Sequence, residues 1–225
     1  FPWAVVWDDH EVDNNYAGAV SQDDDPTEEF LARRAHAYRA WWENLPVRLP
    51  PPEGDALDVH RHLDVGDLVR LHVLDQRQHA DEPPCRDTTA GTDLGDCAAR
   101  TGDERTLLGG EQAGWLDESL AGSGATWDLL GNPVVLAGID TGTDTPLHYL
   151  ETWDGYPAEQ ERVIAALAAV DNPVVLTGDY HQGMVLDVHR TPFDTDSDPV
   201  CTELMAPPIS SPLFSQDVAP RTPQL

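Results

Sequence analysis

The chain has 225 residues, enough for one domain with a sizeable core. Its 41 acidic residues face only 13 basic ones, all of them Arg, for a formal charge of -28. A surface this negative repels nucleic acid and anionic lipid headgroups, which argues against both as partners, and no run of 18 apolar residues exists to cross a membrane as a helix.

The first predicted element is a strand, the apolar run Trp3-Ala4-Val5-Val6-Trp7. It runs into a polar loop over residues 8–20 that opens Asp8-Asp9-His10-Glu11 and continues through Asn14-Asn15. Residues 21–27 read as a solvated turn, and the Asp run within it lacks the spaced oxygens and Gly of a calcium loop. Thr27-Glu28-Glu29 then caps a helix that carries Phe30, Leu31, Arg34, Tyr38, Trp41 and Trp42 at helical spacing. Pro46, Pro50, Pro51 and Pro52 stop it. Residues 58–65 and 68–75 read as two strands of a hairpin around Gly66-Asp67, and His60, His62 and His72 read as histidines of the sheet surface.

A long polar loop covers residues 79–106. Cys85 and Cys97 lie within it and are either bridged, which would imply an oxidising compartment, or two free thiols. Cys201 reads as a buried strand or turn residue. A helix follows over residues 107–120, then short strands over 126–130 and 133–137. Residues 157–170 form an amphipathic helix with Val163, Leu167 and Val170 on its apolar face. Strands over 174–177 and 184–189 close the series, and the tail from Pro207 is irregular. Helices that alternate with strands and hairpins indicate a layered α/β fold.

Two strand tips carry the chemistry. One is Asp8-Asp9-His10-Glu11; the other is Gly178-Asp179-Tyr180-His181, behind the apolar run Val174-Val175-Leu176. If both strands lie parallel in one sheet, Asp9, His10, Asp179 and His181 converge, because residues just past strand ends fan out over the sheet edge. Carboxylates and imidazoles gathered in this way are the constellation of a metal-dependent hydrolase. Asn14 and Asn15 offer neutral carbonyl ligands or simply make the turn. Asp154 is a ligand or a helix cap. Arg77 either pairs with Asp75 in a pocket wall or faces phosphate.

The chain resembles the PhoD-type alkaline phosphatase/phosphodiesterase family, a branch of the calcineurin-like metallophosphoesterases. The resemblance rests on motifs in one order along nearly the whole chain. They are Trp7-Asp8-Asp9-His10-Glu11 with Asn14-Asn15, Ala40-Trp41-Trp42-Glu43-Asn44-Leu45-Pro46-Val47-Arg48, Leu74-Asp75-Gln76-Arg77-Gln78 and Leu108-Gly109-Gly110-Glu111-Gln112-Ala113-Gly114-Trp115-Leu116. Trp153-Asp154-Gly155-Tyr156, Leu176-Thr177-Gly178-Asp179-Tyr180-His181 and Ile209-Ser210-Ser211 complete the series.

The resemblance implies a layered β-sandwich flanked by helices, α-β-β-α in section, formed by residues 1–225 as one partial domain. It implies hydrolysis of phosphate monoesters or diesters, as small-molecule substrates, by a hydroxide activated between two metal ions, with calcium and iron as cofactors. Carried over by position, Asp9, Asn14, Asn15, Asp154, Asp179 and His181 would hold metal, His10 would sit near the leaving group, and Arg77 would meet substrate. The family further implies a secreted, cell-surface or periplasmic monomer, with Cys85 and Cys97 paired. Asp9 stands where the wider superfamily has Asn, and Gln182-Gly183-Met184 follows the late motif in place of the usual small or aromatic residues. The chain opens at Phe1-Pro2 without Met, so the earliest metal motifs, including a bridging Asp, are expected upstream, and closing segments beyond Leu225. Two readings compete: a non-catalytic acidic extracellular module that binds calcium structurally, and an inactive fragment.

Overall fold

The computed structural model describes residues 3–85, 97–139 and 148–212. Helix α1, Thr27–Asn44, buries Phe30, Arg34, Tyr38 and Trp41. Their spacing of three and four residues is that of one helical stripe. Thr27 is the first helical residue rather than the cap: Pro26 precedes it, and its carbonyl accepts from the amides of Glu29 and Phe30. Leu45 leaves the helix in extended backbone because Pro46 crowds the helical conformation of the residue before it.

The expected hairpin is strands β1, Arg61–Val65, and β2, Val69–Val73, paired antiparallel around Gly66 with its φ of 60°. Helix α2, Gly109–Ala121, leads to strand β3, Trp127–Asn132. Helix α3, Pro157–Leu167, starts on a Pro that suits the first turn. Strands β4, Pro173–Thr177, β5, Met184–His189, and β6, Pro199–Met205, follow. The six strands make one sheet in the order β1-β2-β3-β4-β6-β5. Strands β2, β3, β4 and β6 run parallel, and the two outer strands run antiparallel to their neighbours. The α/β class and the flanking of the sheet by helices are as expected.

Two apolar runs expected as strands are not in the ladder. Residues 3–7 have no regular secondary structure, and aromatic packing and the Arg61 guanidinium on the Val5 carbonyl hold them. Trp7 stacks on Tyr38 with ring centroids 4.0 Å apart and meets Trp41 edge-on in a small second core with Leu57 and Val59. Residues 133–137 form a buried bend instead. Side chains satisfy its backbone: Val134 donates to Gln76 Oε1 at 2.9 Å, and Leu136 and Ala137 donate to the Glu203 carboxylate at 2.9 and 2.7 Å. A buried apolar run reads the same in either conformation. Strand β6 was not expected, although Cys201, placed in a strand or turn, lies on it.

The main core lies between the sheet and helices α2 and α3, where Leu116, Leu120, Val163, Ile164 and Leu167 join Leu130, Val175 and Met205. The opposite sheet face carries Leu63, Leu71, Leu129, Leu176, Val185 and Leu204, half or fully exposed among the described residues. Disulfide Cys85–Cys97, with Cα atoms 6.0 Å apart, closes a loop whose interior lies outside the described residues.

Two outcomes follow from this packing. Glu203→Ala should strand two buried amides and the Thr177 hydroxyl, and should lower stability by about 3 kcal/mol in urea unfolding; a loss within the error of the midpoint would show that the bend does not depend on it. The chain expressed alone should self-associate and bind a hydrophobic dye through its open sheet face. Val185→Lys with Leu204→Lys should reduce both in sedimentation and fluorescence, and a monomeric, dye-silent parent chain would contradict this.

Candidate active site

The C-terminal ends of the parallel strands point to one side, and the segments that follow β2, β4 and β6 meet there. The first site loop follows no strand, contrary to the expectation of two parallel strand ends: the turn after residues 3–7 is carried to this edge by the packing of Trp7. The Asp9 carbonyl accepts from the amides of Val12 and Asp13, both at 2.9 Å, and the Asp8 amide donates to Glu11 Oε2 at 2.9 Å. The Asp9 carboxylate is itself clamped, Oδ1 by the His10 amide at 2.8 Å and Oδ2 by the Asn15 amide at 3.0 Å. Asn15 adopts a left-handed backbone, φ 48°, that aims its amide this way. Asp9 is buried while His10 stands exposed at the rim, its Nε2 3.8 Å from Asp9 Oδ2.

The second tip leaves β4 through Gly178. Asp179 and His181 both have positive φ, 61° and 54°, a region in which Asp and His are among the enriched non-glycine residues. Two such residues two positions apart cost on the order of 1–3 kcal/mol each and persist where the surroundings hold them. Tyr180, between them, meets Tyr149 edge-on at 5.5 Å. His181 Nδ1 donates to the Pro212 carbonyl at 2.9 Å.

Both tips open on one cavity of about 610 Å³. Its polar lining includes Asp8, Asp9, His10, Asn14, Asn15, Glu151, Asp179 and His181. Tyr149, Tyr180 and the segment from Ala206 to Ile209 line it as well. One carboxylate oxygen each from Asp8, Asp9 and Asp179 lies within 4.8 Å of the other two. Burial pushes the Asp179 carboxyl well above the usual range; the negative charge of Asp8 adds to this, Arg77 opposes it, and Asp9 raises it further. Burial likewise lifts Glu151 to about 7. Three crowded carboxylates, with Asp179 and Glu151 pushed towards protonation, fit a hard metal ion, and the imidazoles beside them extend the set towards borderline ions.

Other expected residues lie elsewhere. Asp154 is buried in the short turn Trp153–Gly155, away from the cavity wall, with its carboxylate 3.9 Å from His148 Nδ1. It does not cap α3 either, since Tyr156 holds that place. Arg77 is 2% exposed and is not part of the cavity wall; its Nε donates to Asp8 Oδ1 at 2.6 Å. Asp75 meets Arg77 through the backbone amide rather than an ion pair, and it also accepts from the Trp7 indole and from Gln78. His72 is fully buried instead of on the sheet surface, between Asp128 at 2.9 Å and Ser119 at 3.1 Å, because helix α2 covers that face. His60 is mostly covered by Trp115, and His62 is exposed as expected. Glu151 and Tyr149 lie outside every motif, and Tyr180 lies inside the second tip without a role of its own in the sequence reading.

The PhoD-like phosphatase family model matches residues 1–224. Alkaline phosphatase D of Bacillus subtilis (strain 168) is 40% identical over 193 residues, which make up 84% of this chain and 32% of that protein. A solved structure of PhoD superposes with a TM-score of 0.88 at 38% identity, over 94% of this chain and 40% of that one. The chain thus spans less than half the length of the relatives it matches.

The metal-free chain should lose stability as pH rises above about 3.9, the ordinary Asp value, through the raised value of Asp179, because the folded state favours its protonated form. Asp179→Asn should flatten that decline and raise the neutral-pH melting temperature in chelator. A steeper decline in the variant would contradict the crowding.

Proposed function

This chain belongs to the PhoD-like phosphatase family, and from that premise we propose that the protein carrying it hydrolyses phosphoric esters with bound metal ions. The observation that carries the proposal is the meeting of Asp8, Asp9 and His10, on the turn after the unpaired segment 3–7, with Asp179 and His181, just past parallel strand β4, on one cavity. In this reading Asp9 and Asp179 hold metal, with Asp8 beside them and His181, Asn14 and Asn15 at the margin. Asp154, buried against His148, holds its loop rather than an ion. A bound cation draws charge from a phosphoryl oxygen and lets water ionise near neutral pH.

The residues of the chain do the rest. The amides of His10 and Asn15 fix the Asp9 carboxylate, so that its oxygens keep one direction as charge builds nearby. Exposed His10 is placed to give a proton to the departing alkoxide. Tyr149, Tyr180 and the Ala206–Ile209 segment offer an apolar wall to the organic part of the ester. A cavity of about 610 Å³ has room for more than a phosphate group, which supports diesters as well as monoesters among the small-molecule substrates.

The finer features of the proposal are calcium and iron as the ions, a two-metal site whose remaining ligands belong to other parts of the protein, a monomer, and residues 1–225 as part of one metallophosphatase domain. No helix among the described residues is long and apolar enough to cross a membrane. The Cys85–Cys97 disulfide supports export to an oxidising compartment.

The test is turnover of a chromogenic phosphomonoester and a diester by the intact protein, with and without exhaustive chelation. Chelation should abolish turnover and added metal should restore it, and Asp9→Asn should lower kcat at least about 100-fold. Equal turnover after chelation would refute the proposal.

A further inference from the structure

We propose that Arg77 is a positioning residue: its buried guanidinium sets Asp8 and Asp179 in place for a cation and never touches substrate. This rests on reading the cavity as a metal-dependent phosphoesterase site. It differs from the role that sequence position suggests for Arg77, which is direct contact with phosphate.

The geometry is specific. Nε donates to Asp8 Oδ1 at 2.6 Å, a charge-assisted contact. Nη2 lies 3.9 Å from Asp179 Oδ1, within ion-pair range but beyond a hydrogen bond. That nitrogen is buried and has no hydrogen-bond partner. A buried donor without a partner is costly, so its place needs an explanation. Because it is sealed from the cavity, phosphate cannot supply the missing partner. A shift of Asp179 towards it can.

The backbone of Arg77 cannot swing out to meet substrate. Its amide donates to Asp75 Oδ1 at 3.0 Å, and its carbonyl accepts from the Gly18 amide at 2.8 Å. Asp75 is fixed in turn by the Trp7 indole at 3.1 Å and by the Gln112 side chain on its carbonyl at 2.7 Å. The guanidinium therefore springs from a rigid base and reaches two loops that are far apart in sequence. The planar fork holds Asp8 by a hydrogen bond and turns a second donor towards Asp179; a lysine ammonium on the same base lacks this fixed pair of directions.

Charge and position make opposite forecasts, and this allows a clean test. If Arg77 only balanced charge, its loss would leave the carboxylates more negative and calcium would bind more tightly. If it positions them, calcium binds more weakly despite the added negative charge. Calcium is the probe because the facing donors are oxygens.

The experiment is calorimetric titration of the metal-stripped intact protein with calcium, for the parent, Arg77→Gln and Arg77→Lys, with each variant checked by circular dichroism. Both variants should bind calcium about tenfold more weakly or worse, the range of loss seen when groups behind metal ligands are removed. Ethylguanidinium should restore part of the affinity of Arg77→Ala. In turnover, kcat should fall while KM stays. If Arg77→Gln fails to fold, Arg77→Lys carries the test, since it keeps charge and most of the volume. The calcium readout needs no substrate, so a protein that binds calcium but cleaves no phosphoester would sink the proposed function and leave the role of Arg77 standing. Tighter calcium binding by the variants, no calcium binding by the parent, or a raised KM with kcat intact would overturn the role of Arg77.

Discussion

Like-charge crowding of Asp8, Asp9 and Asp179 around one buried guanidinium is the constraint on which the site depends. Carboxylates this close repel each other, and their partial burial weakens the screening by water. The fold keeps them together by spending rigid structure on their supports. Backbone amides clamp Asp9, a strained left-handed turn presents Asp179, and Asp75 anchors both the Trp7 segment and the base of Arg77. The single charge of Arg77 offsets only part of this repulsion, and the carboxyl of Asp179 is held well above its usual range. A cation resolves the conflict, and this is the physical reason for reading the cluster as a metal site and not as a surface patch.

The sheet makes the meeting possible. Residues that follow β2 and β4 reach the same edge because these strands run parallel with β3 between them. The buried bend after β3 lies beneath, and Glu203 from β6 ties it down through the Leu136 and Ala137 amides. Side chains thus replace the backbone ladder where the sheet must end and the cavity begin. The opposite sheet face, with its exposed leucines, plays no part in this edge, and its apolar character suits the inner face of a layered fold.

Much of this was legible in the sequence, and the failures have physical causes. Helix α1, the β1–β2 hairpin and strands β4 and β5 carry clear periodicity or turn signals. The runs at 3–7 and 133–137 lack them, since buried apolar residues look alike in a ladder, a stacked segment or a bend. Strand β6 was obscured because Glu203, a charged residue, points into the core, where two amides and the Thr177 hydroxyl receive it. His72 read as a surface residue because alternation alone does not say which face a helix covers. The two strand tips stood out because Asp and His directly past an apolar run are chemically conspicuous. Glu151, Tyr149 and the buried course of the Arg77 side chain leave no local signature, as tertiary packing alone decides them.

The most direct measurement is anomalous diffraction from crystals of the intact protein grown with calcium and iron. The account predicts metal peaks at the cluster, roughly 2.0–2.6 Å from carboxylate oxygens of Asp9 and Asp179, with Arg77 still paired to Asp8 behind them. Density empty at these carboxylates, or metal bound instead between His148 and Asp154, would contradict it.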